Sequence, residues 1–468
     1  MTATTFPSYF EALDHPSLIA DYPLGEAFLQ RFRAMSRDAL HALQEERFLK
    51  LVARGWEIPF YRRHWSAAGL EPGDIRTLED AAKIPAYDKS DLMRAIAEHP
   101  PLGDFSSPEL IAGAPGRPPV ILHTTSGTTG KPQVLLFGPK GREVGNMLVA
   151  RMARWLGVGA GDVVHSVYGH GMINGGHYIR EAYTHWTNAL FLSAGTGVET
   201  RSAAQVQLMA DFGATVIVGF VDYVRKLAAV AREAGLEPGR DIPVRMIIGH
   251  LGTEDRAATE AAWGGARAYD WYGVGDTGAI AAEGPERDGL TIWEDAQLLE
   301  ILDVETGRRV ARGEAGDMVV TTLYKDDVAP CIRFNTHDVS ALRTDSAASG
   351  LVFDRLKGFL GRSDNMVKLK GINVFPHAIG AILENRPELT GEYVCTLRRG
   401  ADLADRMTVT IEHRAPDAAA IPALAEVLRR GLGVEVAVEL VPPGGTAALT
   451  QIEVRQKPIR LIDERAKA

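Results

Sequence analysis

The sequence predicts an α/β protein in two parts: a large N-terminal domain of parallel and mixed sheet with helices and a small β subdomain, then a small, mobile α+β C-terminal lid domain. Three observations predict it. Short apolar runs at 215–218, 244–248 and 266–269 alternate with helical segments at 202–212, 221–234 and 253–263, which is the pattern of parallel β-α units. From 298 to 342 the pattern turns to strands separated by the glycine turns Glu305-Thr-Gly307 and Arg312-Gly-Glu-Ala-Gly316, as in an antiparallel subdomain. Near Gly361 the composition changes again. Strands at 394–397, 407–412 and 434–441 and a helix at 422–432 follow, so the domains are set at 1–361 and 362–468.

The elements upstream follow in order. The first 110 residues read as mostly helical; Leu40, Leu43, Phe48, Leu51 and Val52 share one helical face, and Gly55 is placed to end that helix. The proline-rich stretch 114–119 leads into a strand at 120–122, and another strand is expected at 134–137. Between these strands lies His123-Thr-Thr-Ser-Gly-Thr-Thr-Gly-Lys-Pro132. Internal repeats and low-complexity segments are absent from the sequence.

Composition narrows the function. The chain has 468 residues, 46% apolar and 24% charged, with a net charge of −9. No basic stripe stands out, which argues against a nucleic-acid partner. An anionic ligand must then be met by local cations. Two cysteines, Cys331 and Cys395, exclude a disulfide framework and a Cys-rich zinc site. The N-terminus lacks a basic and apolar leader pattern, and no apolar run reaches about 18 residues. The expectation is a soluble cytoplasmic protein with no membrane partner.

The loop carries the chemistry. Its glycines let backbone N–H groups approach phosphate oxygens. Thr124, Thr125, Ser126 and Thr128 add hydroxyl donors, and Lys131 adds a mobile positive charge. It is not a Walker A loop: the glycines are Gly127 and Gly130, and Pro132 stands where that motif has a magnesium-binding hydroxyl. Four further segments are suggestive: Asp270-Trp-Tyr-Gly-Val-Gly-Asp276, Arg333-Phe-Asn-Thr-His-Asp338, Gly361-Arg-Ser-Asp through Val374-Phe-Pro376, and Arg455-Gln-Lys-Pro-Ile-Arg460.

On the loop, these segments and Gly289-Leu-Thr-Ile-Trp-Glu-Asp295, the chain resembles the acyl-adenylate-forming superfamily, in the branch of phenylacetate–coenzyme A ligase and other aryl-acid ligases. The resemblance runs over nearly the whole chain. It implies a two-step reaction: an acid attacks the α-phosphorus of ATP with loss of pyrophosphate, and a thiol then attacks the adenylate with loss of AMP. It also implies Mg²⁺, coenzyme A as acceptor and a possible homodimer.

The same resemblance implies residue roles. Thr124, Thr125, Ser126, Gly127, Thr128, Thr129, Gly130 and Lys131 would hold the β- and γ-phosphates, with Thr128 close to the chemistry. Gly249, His250, Asp270, Trp271, Tyr272 and Gly273 would border adenine, Tyr272 by stacking and Asp270 by accepting from its amino group. Asp338 would accept two ribose hydroxyls, and Arg362 would reach the ribose or a phosphate. Asp276 would stand near Mg²⁺. Lys457 would bridge the acid and the α-phosphate, and Asp364 would be the hinge between half-reactions. Tyr168, His170, Asn174, His177, Phe220 and Asp222 would line the acid pocket, with Tyr168 and Phe220 sandwiching a flat ring.

The polar residues of that pocket suggest an aryl or heteroaryl acid bearing a hydroxyl or amino group. His165, His170, His177 and His185 do not have the spacing of a short zinc-ligand pair. The chain departs from the family pattern at Gly275 and Asp276, where a hydroxyl residue and Glu are usual, at Gly249-His-Leu-Gly252, at Gly380 and at Gln456. Two alternatives stay open: adenylation with transfer to a carrier protein or an amine, and a catalytically impaired nucleotide-binding homologue.

Overall fold

The computed structural model describes residues 9–465 except 114–116, 118, 126–132, 253–254, 364–366, 370–371, 384–385, 401–404 and 452–457. The chain divides into two compact units. One gathers Met1–His250, Ala258–Thr336 and Ala341–Gly358; the other gathers Leu251–Ala257, His337–Ser340 and Phe359–Ala468.

The first unit begins with helices. The helix Arg37–Glu57 starts at Ser36, whose side chain accepts from the Ala39 N–H, and buries Leu40, Phe48, Leu51 and Val52. Gly55 does not end it. A side chain there would come within 2.4 Å of Trp65 and 2.9 Å of Ile332, so this glycine serves close packing inside the helix. The helix stops at Ile58, and Pro59 opens the next helix, Pro59–Ala67.

Downstream, β1 (Ile121–Thr124) and β2 (Val134–Phe137) form an antiparallel hairpin around the hydroxyl-rich loop. The main sheet is built from β3 (Val163–Ser166), β4 (Leu190–Ser193), β5 (Val216–Phe220), β6 (Met246–His250), β7 (Arg267–Val274), β8 (Gly278–Glu283), β9 (Leu290–Ile292) and a short strand, Arg355–Leu356. Strands β4, β3, β5, β6 and β7 lie side by side and parallel. Strands β7, β8, β9 and Arg355–Leu356 continue antiparallel. Strand β7 is longer than the sequence suggested, so Asp270 to Gly273 lie within it rather than after it. Beyond the sheet, β10 (Gln297–Leu302) and β11 (Ala315–Thr322) pair antiparallel over six residues.

The core of this unit packs Phe28, Phe32, Trp155 and Trp293 with the inward faces of the sheet, Val216, Val218 and Ile248 among them. Inside it, Arg151 meets Asp295 through two bonds of 2.8 and 2.9 Å, with both side chains fully buried.

In the second unit, Leu389–Arg399 and Asp405–His413 pair antiparallel, and Ala437–Val441 and Leu461–Asp463 flank them in parallel. The amphipathic helix Ile421–Leu432 lays Leu424 and Leu428 against that sheet's core. Among the described residues, no helix is long and apolar enough to cross a membrane.

Candidate functional site

The carboxyl ends of parallel strands are where open α/β sheets take ligands. Tyr168 follows β3, Phe220 ends β5, His250 ends β6, and Asp270 and Trp271 lie in β7. Register places Phe220 beside His250 and Gly249 beside Asp270. A side chain at Gly249 would come within 2.1 Å of the Gly219 carbonyl, so the close strand approach itself requires glycine.

These strand ends form one aromatic cluster. His250 lies between Phe220, stacked at 5.2 Å, and Trp271, tilted at 4.2 Å. Its Nδ1 pairs with the Trp271 carbonyl at 3.0 Å. A carbonyl only accepts, so Nδ1 carries the proton. Tyr168 meets Phe220 edge-on, with centroids 5.2 Å apart at 69°. The two rings touch, so the expected sandwich of a ligand ring between them does not exist; Phe220 turns its face to His250 instead.

The neck of the loop is fixed from both sides. The Thr124 N–H donates to the Met172 carbonyl at 2.7 Å, and the Thr125 N–H to Gln133 at 3.0 Å. Gln133 also donates from its side chain to Asp276 Oδ1. Lys325, almost fully buried, donates to the Asp276 carbonyl at 2.8 Å and lies 5.1 Å from the Phe137 centroid. Burial pushes the Asp276 carboxyl above the usual carboxylate range, against the opposing pull of Lys325 and Gln133. Tyr272, in β7, is buried, with its hydroxyl 3.4 Å from Thr336 Oγ1. Asp270 is buried too, and its N–H donates to Glu283 at 2.8 Å.

The segment after β3 is bound to that neck, since Ile173 also bridges to Thr124. His123 stacks on His177 at 5.0 Å, and His170 meets His177 edge-on at 5.2 Å. His177 Nε2 donates to the Gly171 carbonyl at 2.9 Å, and His170 Nε2 pairs with Ser193 Oγ at 3.0 Å. Burial, helped by Arg142 and His177, pushes the His123 imidazole down to about 4. Asn174 accepts from the buried Arg142. Asp222 is engaged by Arg225 at 3.1 Å. Among the described residues, no group of three or more His, Cys, Asp or Glu side chains gathers as a metal site.

In the second unit, Asp338 pairs in register with Arg362, and Arg362 Nη1 donates to Asp338 Oδ1 at 2.7 Å. Thus Asp338, expected at the ribose, and Arg362, expected at the ribose or a phosphate, are in contact. Ser126, Gly127, Thr128, Thr129, Gly130, Lys131, Asp364 and Lys457 lie outside the described residues. Sequence reasoning missed Gln133, Lys325 and Arg142. The signal for Arg142 was available: the helix Pro139–Trp155 carries Arg142, Glu143, Asn146 and Arg151 among residues buried nearly all round.

Comparison with known proteins agrees with this architecture. Residues 371–465 match the family described as AMP-binding enzyme C-terminal domain. The chain is 31% identical to a phenylacetate-coenzyme A ligase of Aromatoleum evansii over 94% of this chain and 98% of that one. It is 30% identical to the Thermus thermophilus phenylacetate-coenzyme A ligase, over 88% and 94%. Among solved structures, 2-hydroxyisobutyryl-CoA ligase in the postadenylation state with R3-HIB-AMP matches at 27% identity and a TM-score of 0.79, covering 94% of this chain and 92% of that one. Fold and relatives together define an acyl-adenylate-forming enzyme, and the chain belongs to the phenylacetate–coenzyme A ligase branch of that superfamily.

Proposed function

We propose that the protein is an AMP-forming ligase that activates an aromatic carboxylic acid bearing a hydroxyl or amino group and transfers the acyl group to coenzyme A. The observation that carries this reading is the physical union of two segments: the neck of the phosphate-type loop and the acyl-bordering segment share the Thr124–Met172 bond and the Thr124–Ile173 bridge. Relatives named for phenylacetate and for 2-hydroxyisobutyrate support an acid–coenzyme A ligase whose acid varies within the branch.

In this reading the loop from Thr124 to Lys131 grips the β- and γ-phosphates, and Tyr272, Asp270, Asp338 and Arg362 hold the nucleoside. An acid oxygen attacks the α-phosphorus and pyrophosphate leaves, with Lys457 drawing the two anions together. The coenzyme A sulfur then attacks the acyl carbon and AMP leaves, after the lid turns at Asp364. The half-buried Asp276 carboxylate, held at one oxygen by Gln133, suits a hard cation. Bound Mg²⁺ would neutralise phosphate charge there, taking its other ligands from phosphates and water.

The test is acid-dependent exchange of pyrophosphate into ATP across hydroxy- and aminobenzoates, the matching phenylacetates and 2-hydroxyisobutyrate. A substituted aromatic acid is expected to exchange fastest. Faster exchange with plain phenylacetate overturns the substituent, and ATP binding without acid-dependent exchange overturns the activity.

A further inference from the structure

Asn174 opens the helix Asn174–Trp186 in the acyl-bordering segment and is 7% exposed. Its Oδ1 accepts from Arg142 Nη1 at 2.5 Å. A guanidinium has donors and no acceptor. This bond therefore assigns the amide: the oxygen faces Arg142 and the NH₂ group faces the other way.

Arg142 is itself held in place. Its side chain is 1% exposed, its Nε donates to Glu181, and the Phe137 and Tyr178 rings lie 5.5 and 5.7 Å from the guanidinium carbon. Flipping the Asn174 amide would point its NH₂ at that cation and lose a charge-assisted bond, so the orientation is locked. Among the described residues, Asn174 Nδ2 donates to no partner, and Arg142 Nη2 is buried without one. This corner presents hydrogen-bond donors, while the Arg142 charge itself is met by Glu181.

We propose that Asn174, positioned by Arg142, reads a hydrogen-bond acceptor on the acid, so that the preferred ring substituent is a hydroxyl, ether or nitro oxygen rather than an amine. The proposal rests on the reading that residues 168–177 border the acyl group. Of the other polar candidates, the carboxylate of Asp222 would suit an amine but is engaged by Arg225, while His170 and His177 are bonded to Ser193 and the Gly171 carbonyl.

The experiment compares kcat/KM for pairs of aromatic acids that differ only in hydroxyl or methoxy against amino at one ring position. Wild type, Asn174→Asp and Asn174→Leu are measured, with a melting curve for each. The wild-type protein favours the oxygen member by about tenfold, the scale of one good hydrogen bond. Asn174→Asp keeps the bond to Arg142 and presents an acceptor, so in the methoxy–amino pair, where only the amine can donate, its preference moves toward the amino member by about tenfold or more. Asn174→Leu brings the ratio near one, losing more activity on the oxygen member than on the amino member or the unsubstituted acid. An unchanged ratio in both variants overturns the proposal. Equal loss on every acid, the unsubstituted one included, also overturns it, because it places Asn174 at the carboxylate. Failure of the aryl-acid reading shows separately, as no aromatic acid activated by the wild-type protein, and takes this proposal with it.

Discussion

Two buried cations share the Phe137 ring and live in opposite circumstances. Arg142, 5.5 Å from the ring centroid, has its own counterion in Glu181 and spends another donor on Asn174. Lys325, 5.1 Å away, bonds to the Asp276 carbonyl and makes no ion pair among the described residues. Its charge acts on the Asp276 carboxyl through space. The difference separates two uses of a buried charge. A cation tied up in a direct ion pair fixes geometry, whereas one that only faces carboxyls through space, as Lys325 faces Asp276 and Asp327, keeps more of its field for an incoming anion.

The largest effect expected from breaking this contrast is on folding. Arg142→Leu leaves the Glu181 carboxylate without its counterion, with the Asn146 amide still bonded to it, and should cost about 3 kcal/mol of stability by urea denaturation. A loss under about 1 kcal/mol would mean that the pair does not hold the wall in place.

Lys325→Met should act on catalysis instead. A lost charge-assisted contact of about 2 kcal/mol predicts roughly a thirtyfold fall in kcat/KM for ATP, with KM for the acid little changed and the melting point close to wild type. Equal weakening of ATP and acid would make Lys325 structural, like Arg142.

The smallest effect concerns His123, which faces the first of these cations. Its ordinary value is 6.5, and the folded protein holds it at about 4. Between these values the unfolded chain takes up a proton that the folded chain refuses. This contribution to stability is therefore complete above pH 6.5 and fades as pH falls toward 4. The drop in melting temperature from pH 7 to pH 5 should shrink in His123→Gln; an equal drop in both proteins refutes the assignment.

Local pattern and tertiary contact were unequally legible in the sequence. The strands at 134–137 and in the β-α repeat could be read from short apolar runs, because buried parallel strands leave a continuous apolar signature. Gly55 was misread because a glycine needed for packing against Trp65 looks the same in sequence as one that ends a helix. The contact between Asp338 and Arg362 was not read from the sequence, which placed Asp338 at the ribose and Arg362 at the ribose or a phosphate without pairing them. The stacking of Phe220 on His250 was equally hidden, since it depends on strand order and register. Lys325 was hidden for the same reason: nothing in Tyr324-Lys325-Asp326 tells which carbonyl the ammonium will meet.

In the proposed reaction an acid oxygen becomes bonded to the α-phosphorus of ATP. Incubating the enzyme with ATP, coenzyme A and an aromatic acid labelled with ¹⁸O at both carboxylate oxygens tests it directly by mass spectrometry of the products. One ¹⁸O is expected in AMP and one in the thioester carbonyl. Unlabelled AMP, or label appearing in phosphate beside ADP, would contradict it.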